Sequence, residues 1–156
     1  MKYPQLSLDN QLCHRLYLAS NRITRAYRPL LTALDLTYPQ YVVMMALWEQ
    51  DHISIASLLT KTGIDPGAMT LILKKVEEKG LIEIQKSETD KRSKFVFLSE
   101  SGSKLADQAK HIPEQLTCQF DDVDRTAFNQ LIALLDTLNT SLAESEEGLA
   151  CKSRHS

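Results

Sequence analysis

The chain has 156 residues, of which 18 are Lys or Arg and 20 are Asp or Glu, so its formal net charge is −2. This length suits one domain or one subunit of a small oligomer, and an apolar content of 43% excludes a disordered or collagen-like chain. No apolar run approaches the roughly 18–20 residues that span a bilayer, and the start lacks the apolar core of a signal peptide, so we expect a cytoplasmic protein with no membrane partner.

The first two predicted elements are helices. From residue 8 to about residue 34, apolar residues recur at spacings of three and four, which is the pattern of one face of a long helix. A second helix begins at Pro39, after a cap at Thr37 or Tyr38, and its residues are apolar nearly all round. Such a helix should be buried on most of its sides.

Two shorter helices, separated by a turn that contains glycine, are predicted next. Ser54 caps the first of them, and Gly63 ends it in a left-handed conformation. Asp65 caps the second, which begins at Pro66 and stops at Gly80. Two helices joined in this way are typical of a helix-turn-helix.

A charged β-hairpin follows. Residues 81–86 and 95–98 alternate as strands do, and the polar segment 87–94 between them forms the hairpin tip. A helix-turn-helix followed by a hairpin is a winged helix-turn-helix, which we place at residues 35–99. A charged tip is also the usual form of a solvated turn, so the hairpin alone does not indicate a function.

The last third of the chain is predicted to be helical. Ser99 caps a helix that contains Pro113 or is kinked by it, and a final helix runs from about residue 124 to residue 143. Residues 144–156 read as a frayed, flexible tail. The predicted fold class is therefore mainly α with a small β-hairpin, in one subunit that spans residues 1–156.

The terminal helices, at residues 1–34 and 100–143, carry apolar stripes that the winged helix-turn-helix does not need. Their burial is most simply achieved in a homodimer, and a symmetric dimer also suits a palindromic DNA site. We therefore predict that both terminal regions are dimerisation helices.

The second helix of a helix-turn-helix enters the major groove with its N-terminal residues at the base edges. The candidate DNA-contacting residues of that helix are Pro66, Gly67, Ala68, Thr70, Lys74 and Lys75. The hairpin tip adds Asp90, Lys91 and Arg92, because arginine suits the negative potential of a minor groove and Asp90 can orient the Arg92 guanidinium. The lysines can instead be explained as surface partners of Glu77 and Glu78.

The net charge hides a marked segregation. Residues 1–34 sum to +4, residues 35–51 to −3, residues 52–98 to +2 and residues 99–156 to −5. The first two-thirds of the chain is thus basic and the last third acidic, a distribution that permits a surface for double-stranded DNA on a nearly neutral protein.

Three cysteines, at positions 13, 118 and 151, are too few, and odd in number, for a disulfide-stapled secreted fold. Cys13 lies in the first predicted helix, where the usual role of a free cysteine is that of a small buried hydrophobe. The arginines of that helix favour a reactive thiol instead, because basic surroundings lower the pKa of a thiol. These are Arg15, Arg22, Arg25 and Arg28.

Three tyrosines are candidates for hydrogen bonding at the Cys13 sulfur. Tyr17 is one helical turn from Cys13, and Tyr27 and Tyr38 lie near the junction of the first two helices. A phenolic hydroxyl can donate to a thiolate, or to an oxygen added to sulfur, within one subunit or across a dimer. Cys118 is either a second thiol that condenses with a sulfenic acid or an idle residue, and Cys151 in the tail is incidental.

These residues and their spacing resemble the MarR family of winged-helix regulators and, more narrowly, its organic-hydroperoxide-sensing branch. The similarity is strong over residues 6–112 and extends to the last helix only in pattern. The segments that carry it are residues 8–13, 24–31, 36–41, 47–49, 80–82 and 90–93. The first three segments are specific to the branch, since most relatives in the family lack the N-terminal cysteine.

The resemblance implies a homodimeric repressor that senses an organic hydroperoxide through Cys13. Tyr27 and Tyr38 match tyrosines that hydrogen-bond the reactive sulfur, and Tyr17 matches a third that shapes the site. Cys118 falls where two-cysteine members have a resolving thiol, supplied by the other subunit, so the resemblance implies an intersubunit disulfide.

The resemblance also extends to the predicted DNA contacts. Asp90 and Arg92 match wing residues placed at the minor groove. Pro66 and Ala68 depart from the branch, which has polar residues at the start of this helix, so two side-chain donors are missing. On all these grounds we predict a DNA-binding repressor that is not an enzyme and that uses no cofactor and no metal.

Two other functions are compatible with parts of the pattern. One is a regulator of the same family that a small aromatic ligand releases from DNA, with Cys13 structural. The other is a thiol peroxidase, for which the sequence offers reactive-cysteine chemistry but no peroxidase scaffold.

Overall fold

The computed structural model describes residues 3–86, 93–118 and 124–153, the last eight of these by their backbone alone. Two 3₁₀ turns, Pro4–Leu6 and Leu8–Asn10, come first. The helices and strands that follow are α1 (Leu12–Thr32), α2 (Tyr38–Glu49), β1 (Ile53–Ser54), α3 (Ile55–Thr62), α4 (Pro66–Glu78), β2 (Ile82–Lys86), β3 (Lys94–Leu98), α5 (Glu100–Ala109), α6 (Ile112–Thr117) and α7 (Arg125–Ser153). They form two compact units, residues 1–116 and residues 117–156.

The predicted fold class, a winged helix-turn-helix in a mainly helical chain, is confirmed. The strands form one antiparallel sheet in the order β1–β3–β2, in which Val96 pairs with Ile53 on one side and with Ile84 on the other. Strand β1 was not predicted, because a strand of two residues is too short to show alternation.

Local side-chain chemistry sets the helix boundaries as predicted. Thr37, and not Tyr38, is the N-cap of α2, and its backbone N–H donates to Gln40 Oε1 at 3.1 Å. Ser54 Oγ accepts from the Ser57 N–H at 3.0 Å at the start of α3, and Gly63 ends α3 with φ of 65°. These caps satisfy backbone groups that the first and last turns of a helix leave unpaired.

The core of residues 1–116 is built around α2. The largest side chains of that helix that are shielded from solvent are Tyr41, Met44 and Leu47. They pack with buried residues of α1, α3, α4 and the sheet in one cluster. The prediction that a helix apolar nearly all round is buried is therefore confirmed.

The N-terminal segment differs from the prediction of one helix from residue 8. α1 begins at Leu12, and the residues before it form the two 3₁₀ turns. The Asn10 amide donates to the Pro4 carbonyl at 3.1 Å, and the Gln11 amide donates to the Gln5 carbonyl at 2.7 Å. These two side-chain contacts hold the 3₁₀ turns in place, so the regular helix starts four residues later than predicted, which is about one helical turn.

Two predicted boundaries in the last third are also corrected. The helix that starts after Ser99 ends at Ala109, and α6 is a separate helix with Pro113 in its first turn, where a missing N–H costs no hydrogen bond. α7 continues to Ser153, so residues 144–153, predicted as a frayed tail, have a helical backbone. The Glu, Ala and Leu residues of that segment are strong helix formers.

A polar anchor joins the α2–β1 turn to the wing. Asp51 Oδ1 accepts from the Leu98 N–H at 2.8 Å and from the His52 N–H at 2.7 Å. His52, with φ of 56°, stacks on Phe97 with ring centroids 4.3 Å apart. The base of β3 is thus held in place from outside the hairpin.

Candidate functional sites

α4 is oriented by its apolar stripe. Met69, Leu73 and Val76 are buried against the core at the expected helical spacing. The opposite face of the helix is therefore turned to solvent. The predicted DNA-contacting residues on α4 all lie exposed: Pro66, Gly67, Ala68, Thr70, Lys74 and Lys75.

Asp65 caps α4 as predicted. Its Oδ1 atom accepts from the Gly67 N–H at 2.8 Å and from the Ala68 N–H at 3.3 Å. The Thr70 hydroxyl donates to the Pro66 carbonyl at 3.0 Å. The first two turns of α4 are thus internally hydrogen-bonded before any ligand approaches.

The lysines of α4 lie beside one carboxylate. Lys75 Nζ is 2.9 Å and Lys74 Nζ 4.0 Å from a Glu78 oxygen, and the Lys75 hydrogen bond lowers the pKa of Glu78. Both lysine side chains are more than half exposed, so their charges remain accessible. Surface pairing with Glu78 and availability to a phosphate therefore coexist. Glu77 accepts from the Ile84 N–H at 3.2 Å instead.

The tip of the wing is only partly described. Asp90, Lys91 and Arg92, predicted to contact DNA, lie outside the described residues. The two strands that lead to the tip are in place, and β2 pairs with β3 from Ile82 to Lys86.

Three tyrosines form a cluster where α1 meets α2. The ring centroid of Tyr27 is 4.9 Å from that of Tyr38 and 5.7 Å from that of Tyr41. Burial, followed by the two neighbouring phenols, raises the pKa of Tyr27 to about 12. Sequence reasoning named Tyr27 and Tyr38 but missed Tyr41, although its position three residues after Tyr38 puts the two on one face of α2.

Cys13 lies on the same helix as Tyr27 but far from it. It is exposed, and Tyr17, one turn away, is 66% exposed. Since α1 is continuous, the separation of fourteen residues corresponds to about 21 Å along its axis. The structure therefore brings Tyr27 and Tyr38 together but does not bring Cys13 to them within one subunit.

The remaining sensor candidates are exposed or outside the described part. The four arginines predicted to flank the thiol all lie exposed along α1: Arg15, Arg22, Arg25 and Arg28. Cys118 is an exposed free thiol directly after α6, and it belongs to the unit of residues 117–156. The side chain of Cys151 lies outside the described residues.

A lysine connects the α1–α2 corner to the end of α4. Lys79 Nζ donates to the Asp35 carbonyl and, at 3.2 Å, to Gln40 Oε1, and it lies 3.2 Å from the Asp35 carboxylate. Asp35, with φ of 50°, forms the corner that precedes Tyr38. The C-terminal end of α4 is therefore joined by direct polar contacts to the α1–α2 corner and to the first turn of α2.

A cleft of about 250 Å³ opens beside Tyr38. Its walls combine one guanidinium and hydroxyl groups with apolar surface. The lining residues are Thr24, Arg28, Leu31, Thr32, Leu36, Thr37, Tyr38 and Pro39. Such a lining suits a small apolar molecule that carries an acidic or hydrogen-bonding group.

The raised pKa of Tyr27 predicts a loss of stability at alkaline pH. In the folded protein the Tyr27 phenol has a pKa of about 12, whereas in an unfolded chain its pKa is near 10. The folded state, which keeps Tyr27 neutral, therefore has its full stability below pH 10. This contribution to the stability is lost as the pH rises from 10 to 12. Tyr27→Phe should melt with a smaller pH dependence in that range, measured by circular dichroism. An unchanged slope would contradict the prediction.

Two kinds of feature are absent from the described residues, a membrane-spanning helix and a metal-binding cluster. No helix there combines the length and apolarity needed to cross a bilayer. No three His, Cys, Asp or Glu side chains there come together as ligands for a metal ion.

Comparisons with known proteins agree with this architecture. A model of the MarR family matches residues 36–94. The chain is 36% identical over 141 residues to the organic hydroperoxide resistance transcriptional regulator of Bacillus subtilis (strain 168), an alignment that covers 88% of this chain and 96% of the relative.

Among solved structures, the chain is similar to AbfR of Staphylococcus epidermidis, with 27% identity, a TM-score of 0.72, and coverage of 94% of this chain and 99% of the other. Overoxidised AbfR bound to DNA matches with 28% identity and a TM-score of 0.68, over 88% of this chain and 99% of that one.

Proposed function

Because this chain belongs to the MarR family of transcriptional regulators, we propose that it is a redox-sensing repressor that binds operator DNA as a reduced homodimer. Oxidation of Cys13 by an organic hydroperoxide then releases the DNA. The observation that carries the proposal is the exposed Cys13 thiol on an arginine-rich helix, in a chain 36% identical to an organic hydroperoxide resistance regulator.

The exposed face of α4 is the proposed DNA-reading surface. Lys74 and Lys75 reach phosphates, the residues before them face the major groove, and Arg92 of the wing enters the minor groove beside Asp90. The relative AbfR has been solved bound to DNA, which supports the same partner here. Removing either lysine should weaken binding at every sequence alike.

The homodimer is supported by apolar side chains that each unit leaves exposed. On α1 these include Leu12, Leu18 and Ile23. On α7 they are Leu131, Ile132, Leu134 and Leu142. Exposed apolar side chains on two helices are best covered by a second copy of the chain.

The distance between Cys13 and Tyr27 favours a sensor site shared between subunits. The two residues lie on nearly the same face of α1, about 40° apart in rotation. If two α1 helices pack antiparallel about a dyad near Ser20, Cys13 of one subunit faces Tyr27 of the partner subunit. Ala19 and Ser20 are small and exposed, so they permit a close approach of the two helices.

The proposed reaction needs only the thiolate and the hydroperoxide. The Cys13 sulfur attacks one oxygen of the O–O bond, which breaks, so that sulfur becomes a sulfenic acid and the rest leaves as an alcohol after taking up a proton. Tyr27, with its raised pKa, stays protonated at neutral pH and so remains a donor to the thiolate or to the new oxygen.

Cys118 of the partner subunit then resolves the sulfenic acid. Its thiolate attacks the Cys13 sulfur, the S–O bond breaks as the S–S bond forms, and the hydroxide that leaves takes up a proton to become water. In the relative AbfR, overoxidation and DNA binding coexist. We therefore assign release to the disulfide, whose closure rearranges the dimer and moves the two α4 helices out of register with successive grooves.

Replacing Cys118 tests the resolving step. After one equivalent of cumene hydroperoxide, the native protein should run as a disulfide-linked dimer on a non-reducing gel, and Cys118→Ser should run as a monomer because its sulfenic acid has no resolving thiol. Cys151→Ser is the matched control and should still form the dimer. A linked dimer in Cys118→Ser would remove Cys118 from the mechanism.

The cleft beside Tyr38 favours a second candidate function, release by a small aromatic ligand. Arg28 would pair with an acidic group while Leu36 and Pro39 cover the ring. In that case salicylate should release DNA from Cys13→Ser as well as from the native protein, and Arg28→Met should abolish the response. Release by hydroperoxide alone would reject this candidate.

A further inference from the structure

The exposed face of α4 has an apolar centre. Leu71 is 67% exposed, although it lies in the middle of a helix whose other large apolar residues are buried or half-buried. It is about 200° of rotation from the buried Met69, so it points directly away from the core. Gly67, one turn earlier on the same line, has no side chain that covers it.

The hydrogen-bonding capacity around Leu71 is low. Pro66 and Ala68 have no polar side-chain group, and the Thr70 hydroxyl hydrogen is already donated to the Pro66 carbonyl at 3.0 Å. Asp65, the cap of the helix, accepts from two backbone N–H groups and offers no donor when ionised. Within the first two turns of α4, which are fully described, no side-chain donor is left to aim at a base.

This chemistry restricts which base edge the helix can read. In the major groove guanine presents two acceptors, N7 and O6, which require donors from the protein. Thymine presents a C5-methyl group, which an apolar side chain recognises by contact. Leu71 and Ala68 are one turn apart and provide such a surface, flanked by Lys75 for a phosphate.

We propose that Leu71 is a specificity-determining residue that reads thymine methyl groups in the operator, with Ala68 beside it. This inference rests on the proposed DNA-binding function and deepens it by naming the chemical group that is recognised. An exposed leucine loses unfavourable contact with water when it meets a methyl group, whereas a cytosine at the same place offers only hydrogen. The operator half-sites should therefore hold thymines opposite α4.

The test begins with the reduced full-length protein and a pool of duplexes whose random core is about two helical turns, roughly 20 base pairs. In the duplex that is selected, each thymidine is replaced in turn by deoxyuridine, which removes the methyl group and keeps every hydrogen-bonding atom. We expect one or two positions in each half-site to lose affinity, by about fourfold for one methyl and about fifteenfold for the symmetric pair.

Leu71→Ala completes a double-mutant cycle. Leu71→Ala should bind the thymidine duplex more weakly than the native protein does. The deoxyuridine replacement should then lower the affinity of Leu71→Ala by less than twofold. Lys74→Ala is the control, because it should weaken binding to both duplexes by the same factor and should reduce the salt dependence of the affinity. Thermal melting checks that Leu71→Ala is folded, as expected for an exposed side chain.

The outcomes separate the inference from the function on which it rests. The role of Leu71 is overturned, while DNA binding stands, in either of two outcomes. In the first, deoxyuridine lowers the affinity of the native protein at no position. In the second, it lowers the affinity of Leu71→Ala as much as that of the native protein. If no duplex is selected from the pool, the proposed function fails, and the inference fails with it.

Discussion

Cys13→Ser should bind the selected operator as tightly as the native protein and should stay bound after treatment with cumene hydroperoxide. The serine hydroxyl is not a nucleophile toward the O–O bond at neutral pH, so neither the sulfenic acid nor the disulfide forms. In the native protein we expect one equivalent of hydroperoxide to weaken binding by about tenfold or more, a normal size for coupling between two sites. Fluorescence anisotropy of labelled DNA measures both.

The control for this experiment is Cys151→Ser, which leaves both proposed reactive thiols in place and should respond as the native protein does. Mass spectrometry of the treated native protein should find Cys13 linked to Cys118. A Cys13→Ser protein that leaves its operator on oxidation would falsify the sensor assignment, whatever the state of Cys118.

Gly102→Ala should lower the free energy of unfolding by about 3 kcal/mol, which is the size of a severe overpacking defect. A β-carbon at Gly102 would lie 2.0 Å from the Leu81 carbonyl oxygen and 3.3 Å from the Leu98 side chain, so α5 or the start of β2 must move. At an open helix position the same substitution would stabilise the protein by up to about 1 kcal/mol. The sign of the change in the free energy of unfolding therefore distinguishes close packing at Gly102 from helix propensity.

The measurement for Gly102→Ala is thermal or denaturant unfolding followed by the fluorescence of Trp48, the single tryptophan of the chain. Its indole N–H donates to the Gly102 carbonyl at 2.9 Å, so the probe sits at the site of the change. The melting temperature should fall by roughly 10 °C, compared at equal protomer concentration. Ser101→Ala, the exposed neighbour, should shift it by far less, and equal shifts would contradict the packing argument.

Much of the winged helix-turn-helix was predictable, because the sequence signals for its helix boundaries and buried faces are local. Caps such as Thr37, Ser54 and Asp65 act within three residues of themselves, so their chemistry is visible in the sequence. The burial of α2 follows from its uniformly apolar composition in the same way. The exposed position of Lys74 and Lys75 follows from the spacing of the apolar stripe of α4.

The proposed sensor region was predictable only in its residue types. Nothing in the sequence separates a Tyr27 that meets Cys13 within one subunit from one that meets it across a dimer. The continuity of α1, which places the two about 21 Å apart, decides against the first. Tyr41 was missed because its burial also fits an ordinary core residue.

By itself, then, the sequence determined the order of the longer helices and of the hairpin strands, the outward face of α4 and the family, since each depends on spacing within a few residues or on short motifs. The tertiary structure decided which distant groups meet: Lys79 with the corner at Asp35, Asp51 with the base of the wing, and Tyr27 with Tyr41. Such contacts join residues far apart in the chain, and only the packing of the helices fixes their distances.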